Sequence, residues 1–380
     1  MNDWKSSKME ALKKARRVVV KVGSAVLTTG TGLDMSVVQS LAKDLAELHR
    51  QGKDVLLVTS GAVAAGRGVI RQTALDELPD RQAASAIGQS RLMHAYDEAF
   101  GAYGIVSAQL LLTRDDLEGR ERYLHVRNTL RTLWGWRCIP VVNENDTVAV
   151  QELVYGDNDC LSSLLVGVVE ADLFVNLTSA KGVFSQNPAE NPGAVCHTCL
   201  DGIGDLDLET MCQGKTVSGT GGMHSKLLAA KRVAQLGVPT LIVSGRETDR
   251  LSRVFAGEDL GTWIPAEARP ISKRKYWLAY TSEPRGSLWI DQGAAQALRQ
   301  GGKSLLPAGI VRVEGEFEKG ASVRILDFQG QTVGVGLVNY DSEELKKIMG
   351  LKSGKIEQVL GQAPYQEAVH RDNMVLDAAL

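Results

Sequence analysis

Apolar and amphipathic segments alternate along the first two-thirds of the chain. Short β-branched or aliphatic runs predict strands at 17–22, 54–59, 105–112, 139–142, 173–177 and 240–243. Between them, apolar residues at three- and four-residue spacing predict helices at 34–48, 83–100, 121–134, 160–169 and 222–236. Asp34 is a candidate N-cap of the first of these helices, and Gly52 lies just past its end. This alternation is typical of an α/β fold with a mostly parallel sheet sandwiched by helices.

The pattern changes near residues 265–275, a stretch that holds Pro265, Pro270 and several charges. Beyond it the predicted strands are short and separated by glycine turns, at 287–290, 310–313, 322–326 and 332–338, with a short helix at 294–300. We therefore expect two domains, 1–268 and 276–380, joined by a linker near 265–275, with a small β-rich second domain.

Composition and charge narrow the class of protein. The 380 residues contain 43 Lys and Arg against 45 Asp and Glu, so no global charge attracts nucleic acid or membrane. No apolar stretch is long enough to span a bilayer, and the lysine-rich residues 1–17, interpreted as a solvated lead-in to the first strand, lack the apolar segment of a secretory signal. The five cysteines form no disulfide-like framework, and the Cys196–Cys199 pair has no matching second pair for zinc. We expect a cytoplasmic protein without a membrane partner.

Two glycine-containing segments follow predicted strands, where open α/β sheets bind ligands. Lys21 interrupts an apolar strand just before Gly23, and a charge in such a strand must find a partner. By itself this segment is equally compatible with an anion site and with a plain glycine turn. The residues of segment 59–62 are small, and they lie between a predicted strand and a helix. Such a segment either exposes helix N-terminal amides as an anion site or forms only a tight turn.

Two acidic, amide-rich clusters, 143–146 and 156–159, adjoin predicted sheet elements. Their carboxylates are suited to binding an ammonium group or to positioning lysines, although solvated turns have the same composition. A third segment, 218–222, is glycine-rich and opens a helix that carries Lys226 about one turn in, which is typical of a phosphate cradle. It is not a Walker A loop, and Gly214-Lys215-Thr216 just before it is not one either, because that motif requires a glycine at position 209, which is Glu. Two lysines, glycine-rich loops and an acidic cluster together indicate phosphoryl transfer.

Six segments resemble the amino acid kinase family in order and spacing: 20–24, 58–62, 88–91, 143–146, 156–159 and 219–223. The C-terminal part, including 304–307 and 368–372, is similar to a PUA domain. The resemblance is greatest to the family members that phosphorylate glutamate, and it implies ATP-dependent transfer to the γ-carboxylate of L-glutamate, giving γ-glutamyl phosphate at the start of proline biosynthesis. It further implies Mg²⁺ bridging the phosphates with no protein ligand assigned, a homo-oligomer (dimer or tetramer), and a glutamyl phosphate reductase as possible partner.

The resemblance also assigns roles to residues. Lys21 and Lys226 would stabilise the transferring phosphoryl group, and Asp159 would hold both lysines in place. The residues that would bind glutamate are Ser60, Gly61, Asn143, Asp146 and Asn158, with Asp146 a partner for the ammonium group. Those that would bind ATP are Lys21, Thr178, Ser179, Thr220, Gly221, Gly222, Met223, His224, Ser225 and Lys226. Ser179 and His224 depart from the family pattern, which usually has Asp and a small polar residue there.

Two alternatives remain open at this stage. One is RNA binding through the C-terminal domain, which carries basic residues at 299, 303, 312, 346, 347, 352 and 355 but also balancing acids, and no aromatic stripe. The other is a kinase of the same family that acts on aspartate, acetylglutamate, carbamate or a nucleotide. The two acid-amide clusters and the C-terminal domain argue against this second alternative.

Overall fold

The computed structural model describes residues 4–30, 32–70, 75, 77–149, 157–188, 190–206, 208, 222–280, 284–361 and 364–376. The chain divides between Pro270 and Ile271 into two compact units. Each unit has its own hydrophobic core.

The first unit alternates strands and helices in the order of the chain. Its strands are β1 Arg17–Val22, β2 Thr28–Thr29, β3 Gly32–Leu33, β4 Asp54–Val58, β5 Ser107–Leu112, β6 Ile139–Glu144, β7 Leu173–Thr178, β8 Thr240–Ser244 and β9 Thr262–Ile264. Its helices are α1 Trp4–Lys14, α2 Ser24–Leu27, α3 Met35–Arg50, α4 Ala62–Ile70, α5 Leu78–Gly101, α6 Asp115–Glu118, α7 Arg120–Gly135, α8 Asp157–Val169, α9 Met223–Gln235 and α10 Arg250–Phe255.

Seven strands form one sheet in the order β5-β6-β4-β1-β7-β8-β9. Every neighbouring pair is parallel except β8 and β9, which are antiparallel. The central strands are apolar and buried, as expected for a sheet covered on both faces. The predicted mostly parallel fold is therefore confirmed. Because parallel strands end at the same edge, the residues that follow β1, β4, β6 and β7 are brought together there.

Local signals account for the ends of α3. The Asp34 side chain accepts hydrogen bonds from the backbone N–H groups of Ser36 and Val37, as an N-cap does. The helix ends at Arg50, and Gly52 follows with φ +85°, a backbone conformation that costs glycine little. Both signals were read correctly from the sequence.

The interpretation of the N-terminal segment was wrong. Residues 4–14 form α1, in which Leu12 is buried in the core and the Lys8 ammonium, also buried, pairs with Asp259 at 3.1 Å. The high lysine content suggested a solvated segment, but a lysine can bury its aliphatic stem in a helix while its ammonium group pairs with an acid. Helix α5 also begins five residues before the predicted start, with Pro79 in its first turn, where proline is tolerated.

The second unit contains a five-stranded mixed sheet, which confirms the predicted small β-rich fold. The sheet order is β11-β10-β12-β13-β14, with β10 and β12 parallel and the other pairs antiparallel. Its elements are α11 Lys273–Tyr280, β10 Gly286–Ile290, α12 Gln292–Gly301, β11 Ile310–Glu314, β12 Ser322–Leu326, β13 Thr332–Val338, α13 Ser342–Ile348, α14 Ile356–Leu360 and β14 Val369–Leu376. The sequence pattern did not predict α11 or β14.

Candidate active site

Lys21 lies near the carboxyl end of the central strand β1, with its side chain only 4% exposed. Its ammonium contacts Asp159 Oδ1 at 2.6 Å. Two residues later, Gly23 leaves open the space beside that ammonium, since a Cβ there would lie 3.6 Å from Lys21 Nζ. The Lys21 ammonium, which interrupts the apolar strand, is therefore paired with the buried Asp159 carboxylate.

Asp159 lies in the first turn of α8 and is 1% exposed. Each of its carboxylate oxygens accepts two hydrogen bonds. Oδ1 accepts from Lys21 at 2.6 Å and from the Asn176 amide at 3.0 Å. Oδ2 accepts from the Ser225 hydroxyl at 2.6 Å and from Lys226 at 3.2 Å. A buried charge is tolerated only with such partners, so this carboxylate is fixed in orientation.

Lys226 lies in the first turn of α9, and its ammonium also donates to the Gly222 carbonyl at 3.4 Å. The helix begins after Gly222, whose backbone is extended. The N-terminal amides of such a helix favour an anion. Lys21 and Lys226, from distant parts of the chain, thus meet on one carboxylate beside a helix N-terminus.

The electrostatics of this group leave it net positive. Burial acts to raise the pKa of Asp159, but the charges of Lys21 and Lys226 outweigh it and hold that pKa well below its usual range. Burial and the neighbouring Lys21 charge lower the pKa of Lys226 to about 8, although Asp159 acts in the opposite direction. At neutral pH, two ammonium groups therefore face one carboxylate, which is the charge distribution that attracts a phosphate.

A network of side-chain amides and hydroxyls lies next to this group. Asn158, which precedes Asp159, donates through its amide to the Ser60 hydroxyl at 3.0 Å and to Asn143 Oδ1 at 3.1 Å. The Asn143 amide donates in turn to Gln89 Oε1 at 2.8 Å. Buried polar atoms of this network, Asn158 Oδ1 and Gln89 Nε2, have no partner among the described residues. Unsatisfied polar atoms at the carboxyl edge of a sheet are suited to a polar ligand.

Asp146 lies in the turn that follows β6. It accepts a hydrogen bond from the Ser85 hydroxyl at 2.5 Å. Burial raises the pKa of Asp146, and the hydrogen bond from Ser85 offsets part of the rise. The carboxylate therefore lies in a partly dry environment, where it gains by meeting a cation.

Glycines shape the wall of this region. Gly61, which directly precedes α4, has φ +105°, which a side chain would strain. Helices α4 and α5 pack so closely that a Cβ on Gly66 would lie 1.8 Å from the Ala84 carbonyl oxygen, and one on Gly88 would lie 1.8 Å from the Ala62 carbonyl oxygen. This close packing brings Gln89 and Ser85 of α5 to the site.

The predicted nucleotide residues are only partly described. Thr220 and Gly221, with Gly156 of the second acidic cluster, lie outside the described residues. Thr178 ends β7 in register with Ser244 of β8, and the next residue, Ser179, is exposed. Met223 packs against a hydrophobic cluster beneath α9, and His224 is half-buried. No contact in the structure tests what these residues bind, so their nucleotide roles stay predictions.

Three residues of the site received no role from the sequence. Asn176 is a lone polar residue inside a buried strand, Gln89 lies in one of the family-like segments, and Ser85 is an unremarkable serine in a helix. The first had a usable signal, because a buried amide must find a partner. Ser85 had none.

Comparison with known proteins identifies the family. The model of the amino acid kinase family matches residues 16–244. The chain belongs to the amino acid kinase family. A PUA domain model matches residues 286–360.

Curated relatives match the kinase over essentially their whole length. The glutamate 5-kinase of Maridesulfovibrio salexigens is 58% identical over 376 residues, covering 99% of this chain and 100% of the relative. The glutamate 5-kinases of Oleidesulfovibrio alaskensis and Nitratidesulfovibrio vulgaris are 55% and 58% identical over 379 residues, with full coverage of both chains. The solved structure of UMP kinase from Bacillus anthracis is 16% identical with a TM-score of 0.48, covering 67% of this chain and 97% of that one.

Two observations bear on the other predicted partners of this amino acid kinase. Among the described residues, no helix combines the length and apolar character that a membrane crossing needs.

In the PUA unit, three of the basic residues are paired with acids: Arg299 with Asp327, Arg312 with Glu314, and Lys346 with Glu343. Their charges are partly neutralised within the unit, and RNA binding there remains a hypothesis.

Proposed function

We propose that the chain acts as a glutamate 5-kinase, which transfers the γ-phosphoryl group of ATP to the side-chain carboxylate of L-glutamate and yields γ-glutamyl phosphate and ADP. The observation that carries the proposal is the Lys21–Asp159–Lys226 group, which lies one residue from the Asn158 amide network. In this proposal the phosphate site and the site for the polar small molecule adjoin. The three curated relatives above are each named glutamate 5-kinase.

The acceptor needs no general base. A glutamate side chain is already ionised at neutral pH, since its unperturbed pKa is about 4.3. One of its oxygens forms the new bond to the γ-phosphorus, and the bond from that phosphorus to the β–γ bridging oxygen breaks as ADP leaves. The main obstacle is repulsion between two anions, which the ammonium groups of Lys21 and Lys226 relieve.

Asp159 orients both lysines without cancelling them. It carries one negative charge against two positive ones, and it fixes each ammonium by a contact to a different oxygen. The positions of the two charges are thus set before the nucleotide arrives, which is how preorganised electrostatic stabilisation lowers a barrier.

The amide network and Asp146 fit the amino-acid end of the substrate. The Asn158 Oδ1 and Gln89 Nε2 atoms, which have no partner within the described part of the chain, provide an acceptor and a donor. In this proposal Asp146 pairs with the ammonium group, and Ser60, Gly61 and Asn143 complete the pocket. A neutral N-acetyl group would leave Asp146 without a cation, which disfavours N-acetylglutamate.

Magnesium is proposed to arrive with the nucleotide. The described residues contain no group of three or more His, Cys, Asp or Glu side chains placed to hold a metal ion. Mg²⁺ is commonly held largely by substrate phosphates and water, and when bound it neutralises phosphate charge.

The proposal is tested by glutamate-dependent ADP release with the purified full-length protein, with the acyl phosphate trapped by hydroxylamine. We expect hydroxamate and ADP in equal amounts with L-glutamate, and at least about tenfold less kcat/KM with L-aspartate, N-acetylglutamate or UMP. Turnover of one of those acceptors at a higher kcat/KM than glutamate would overturn the substrate assignment.

A further inference from the structure

Asn176 is a polar residue in the middle of an apolar strand. All six residues of β7 are buried, and the Asn176 side chain is fully buried. The strand register places it directly opposite Lys21 of β1. Opposed residues of neighbouring strands point to the same face of a sheet, so the two side chains approach Asp159 together.

The Asn176 amide makes one side-chain hydrogen bond within the described part of the chain. Its Nδ2 donates to Asp159 Oδ1 at 3.0 Å, the same oxygen that the Lys21 ammonium contacts. Its own Oδ1 is buried and accepts nothing from the described residues. A buried, unsatisfied carbonyl oxygen typically costs stability, so packing alone does not account for an amide here.

We propose that Asn176 is a positioning residue for phosphoryl transfer, whose amide locks the Asp159 carboxylate in the one orientation that holds Lys21 and Lys226 together. The inference rests on the kinase function proposed above. Asn176 reaches neither lysine directly and acts through the carboxylate. Without its N–H, Oδ1 of Asp159 keeps Lys21 as its partner among the described residues, and Ser225 and Lys226 hold only Oδ2, so the orientation of the carboxylate is less tightly fixed.

The side chain must be neutral as well as a donor. Lys21, Lys226 and Asp159 together carry one net positive charge. An aspartate at position 176 would have the same shape but would add a second carboxylate beside Asp159, which brings the net charge to zero and repels the phosphates. Position 176 therefore requires a side chain that donates a hydrogen bond and carries no negative charge. An amide meets both requirements, and packing in an apolar strand would demand neither.

The test compares Asn176→Leu with the wild-type protein in the glutamate-dependent assay. Leucine suits the apolar strand and removes the unsatisfied oxygen, which offsets the loss of one donor to the buried Asp159 carboxylate, so we expect a Tm close to that of the wild-type protein. We expect kcat to fall about tenfold or more while the KM for ATP stays within about twofold, because the interaction matters mainly in the transition state. Asn176→Ala, which adds no bulk, should lose kcat in the same way, and Asn176→Asp should lose more.

A second readout separates positioning from a purely structural role. Removing the neutral donor leaves the Asp159 charge less compensated, so Asp159 stabilises the charged form of Lys226 more strongly and raises the pKa of Lys226. The alkaline limb of kcat/KM for ATP should therefore move to higher pH in Asn176→Leu. The matched control is Thr240→Val in β8, a fully buried hydroxyl without a partner among the described residues, where kinetics and pH profile should not change.

The outcomes are distinguishable. A folded Asn176→Leu protein with kcat within about twofold of wild type and an unmoved alkaline limb would overturn the inference while leaving the proposed function intact. A wild-type protein without glutamate-dependent ADP release would overturn both. If Asn176→Leu is unstable, the same comparison applies to Asn176→Ala.

Discussion

Lys21 and Lys226 contact opposite oxygens of a single buried carboxylate, at 2.6 Å to Oδ1 and 3.2 Å to Oδ2 of Asp159. They are separated by most of the first unit in sequence, and one comes from the central strand while the other comes from a helix. Since like charges repel, two ammonium groups this close require the shared carboxylate and gain further from an anionic ligand. The pair therefore marks where the transferring phosphoryl group is proposed to lie.

Lys226→Ala tests the charge at that position. We expect kcat to fall about 100-fold or more, because removing one preorganised cation raises the barrier while the substrate sites remain. The fold should be retained, as judged by circular dichroism and Tm. Lys231→Ala, farther along the same helix, is the matched control and should be near wild type. Near-normal turnover in Lys226→Ala would remove this lysine from the catalytic group.

The pH dependence of ATP use should report Lys226. Its pKa is lowered to about 8, so in the free enzyme its charge is lost as the pH rises through that value. We expect kcat/KM for ATP, which reports groups of the free enzyme, to fall above about pH 8.

Asp159→Asn should shift the alkaline decline of kcat/KM for ATP in a known direction. The carboxylate raises the pKa of Lys226, so its neutral replacement should lower that pKa further and start the decline at lower pH. A pH–rate profile of the variant measures the shift. A decline at the same pH in both proteins would show that another group titrates there.

Asp146→Asn tests the amino-acid pocket. A charge-assisted contact to an ammonium group contributes about 1.5–3 kcal/mol, so we expect the KM for glutamate to rise about 10- to 100-fold with the KM for ATP unchanged. Ser85→Ala keeps the carboxylate and removes only its 2.5 Å hydrogen bond, and it should have a smaller effect. A changed KM for ATP with an unchanged KM for glutamate would contradict the assignment of Asp146.

Gly23→Ala tests the approach to Lys21. The backbone there has φ −84°, which alanine adopts without strain, but the new methyl group would lie 3.6 Å from the Lys21 ammonium. We expect a folded protein with a several-fold higher KM for ATP, because the methyl group occupies the approach of a phosphate. Gly30→Ala has open space around its Cβ and serves as control. Equal KM values in the two variants would place the phosphates elsewhere.

The sequence predicted the sheet and much of the site because both depend on local signals. Apolar runs such as 17–22 and 173–177 are predicted as strands from the sequence and are buried strands in the structure. Lys21 stood out as a charge inside one of them. The segment that carries Lys226 stood out by its glycines. What local pattern could not supply was the partner of each group, since contacts such as Ser85 with Asp146 join residues 61 positions apart.

Elements without a strong period were also missed. Strand β9 has three residues and α1 is rich in lysine, so neither shows a clear apolar face in the sequence. The close approach of α4 and α5 was equally hidden, because a glycine inside a helical pattern does not reveal what lies against it. In the structure, Gly66 and Gly88 each face backbone atoms of the other helix.

Gly88→Ala tests whether that close approach shapes the glutamate pocket. A Cβ at this position would lie 1.8 Å from the Ala62 carbonyl oxygen and 2.4 Å from the Gly66 backbone nitrogen, and backbone atoms cannot move aside as a side chain does. The helices must separate, at a cost of about 1–3 kcal/mol for overpacking. Since alanine favours a helix by about 1 kcal/mol over glycine, any fall in Tm must come from the clash.

The kinetic effect of Gly88→Ala should fall on one substrate. Helix α5 carries Gln89, whose side chain accepts from Asn143, so its displacement should raise the KM for glutamate more than the KM for ATP. Gly101→Ala, at the end of the same helix with open space around its Cβ, should leave Tm equal or higher and both KM values unchanged. If Gly88→Ala matched Gly101→Ala in Tm and in both KM values, the tight contact between α4 and α5 would have no part in forming the pocket.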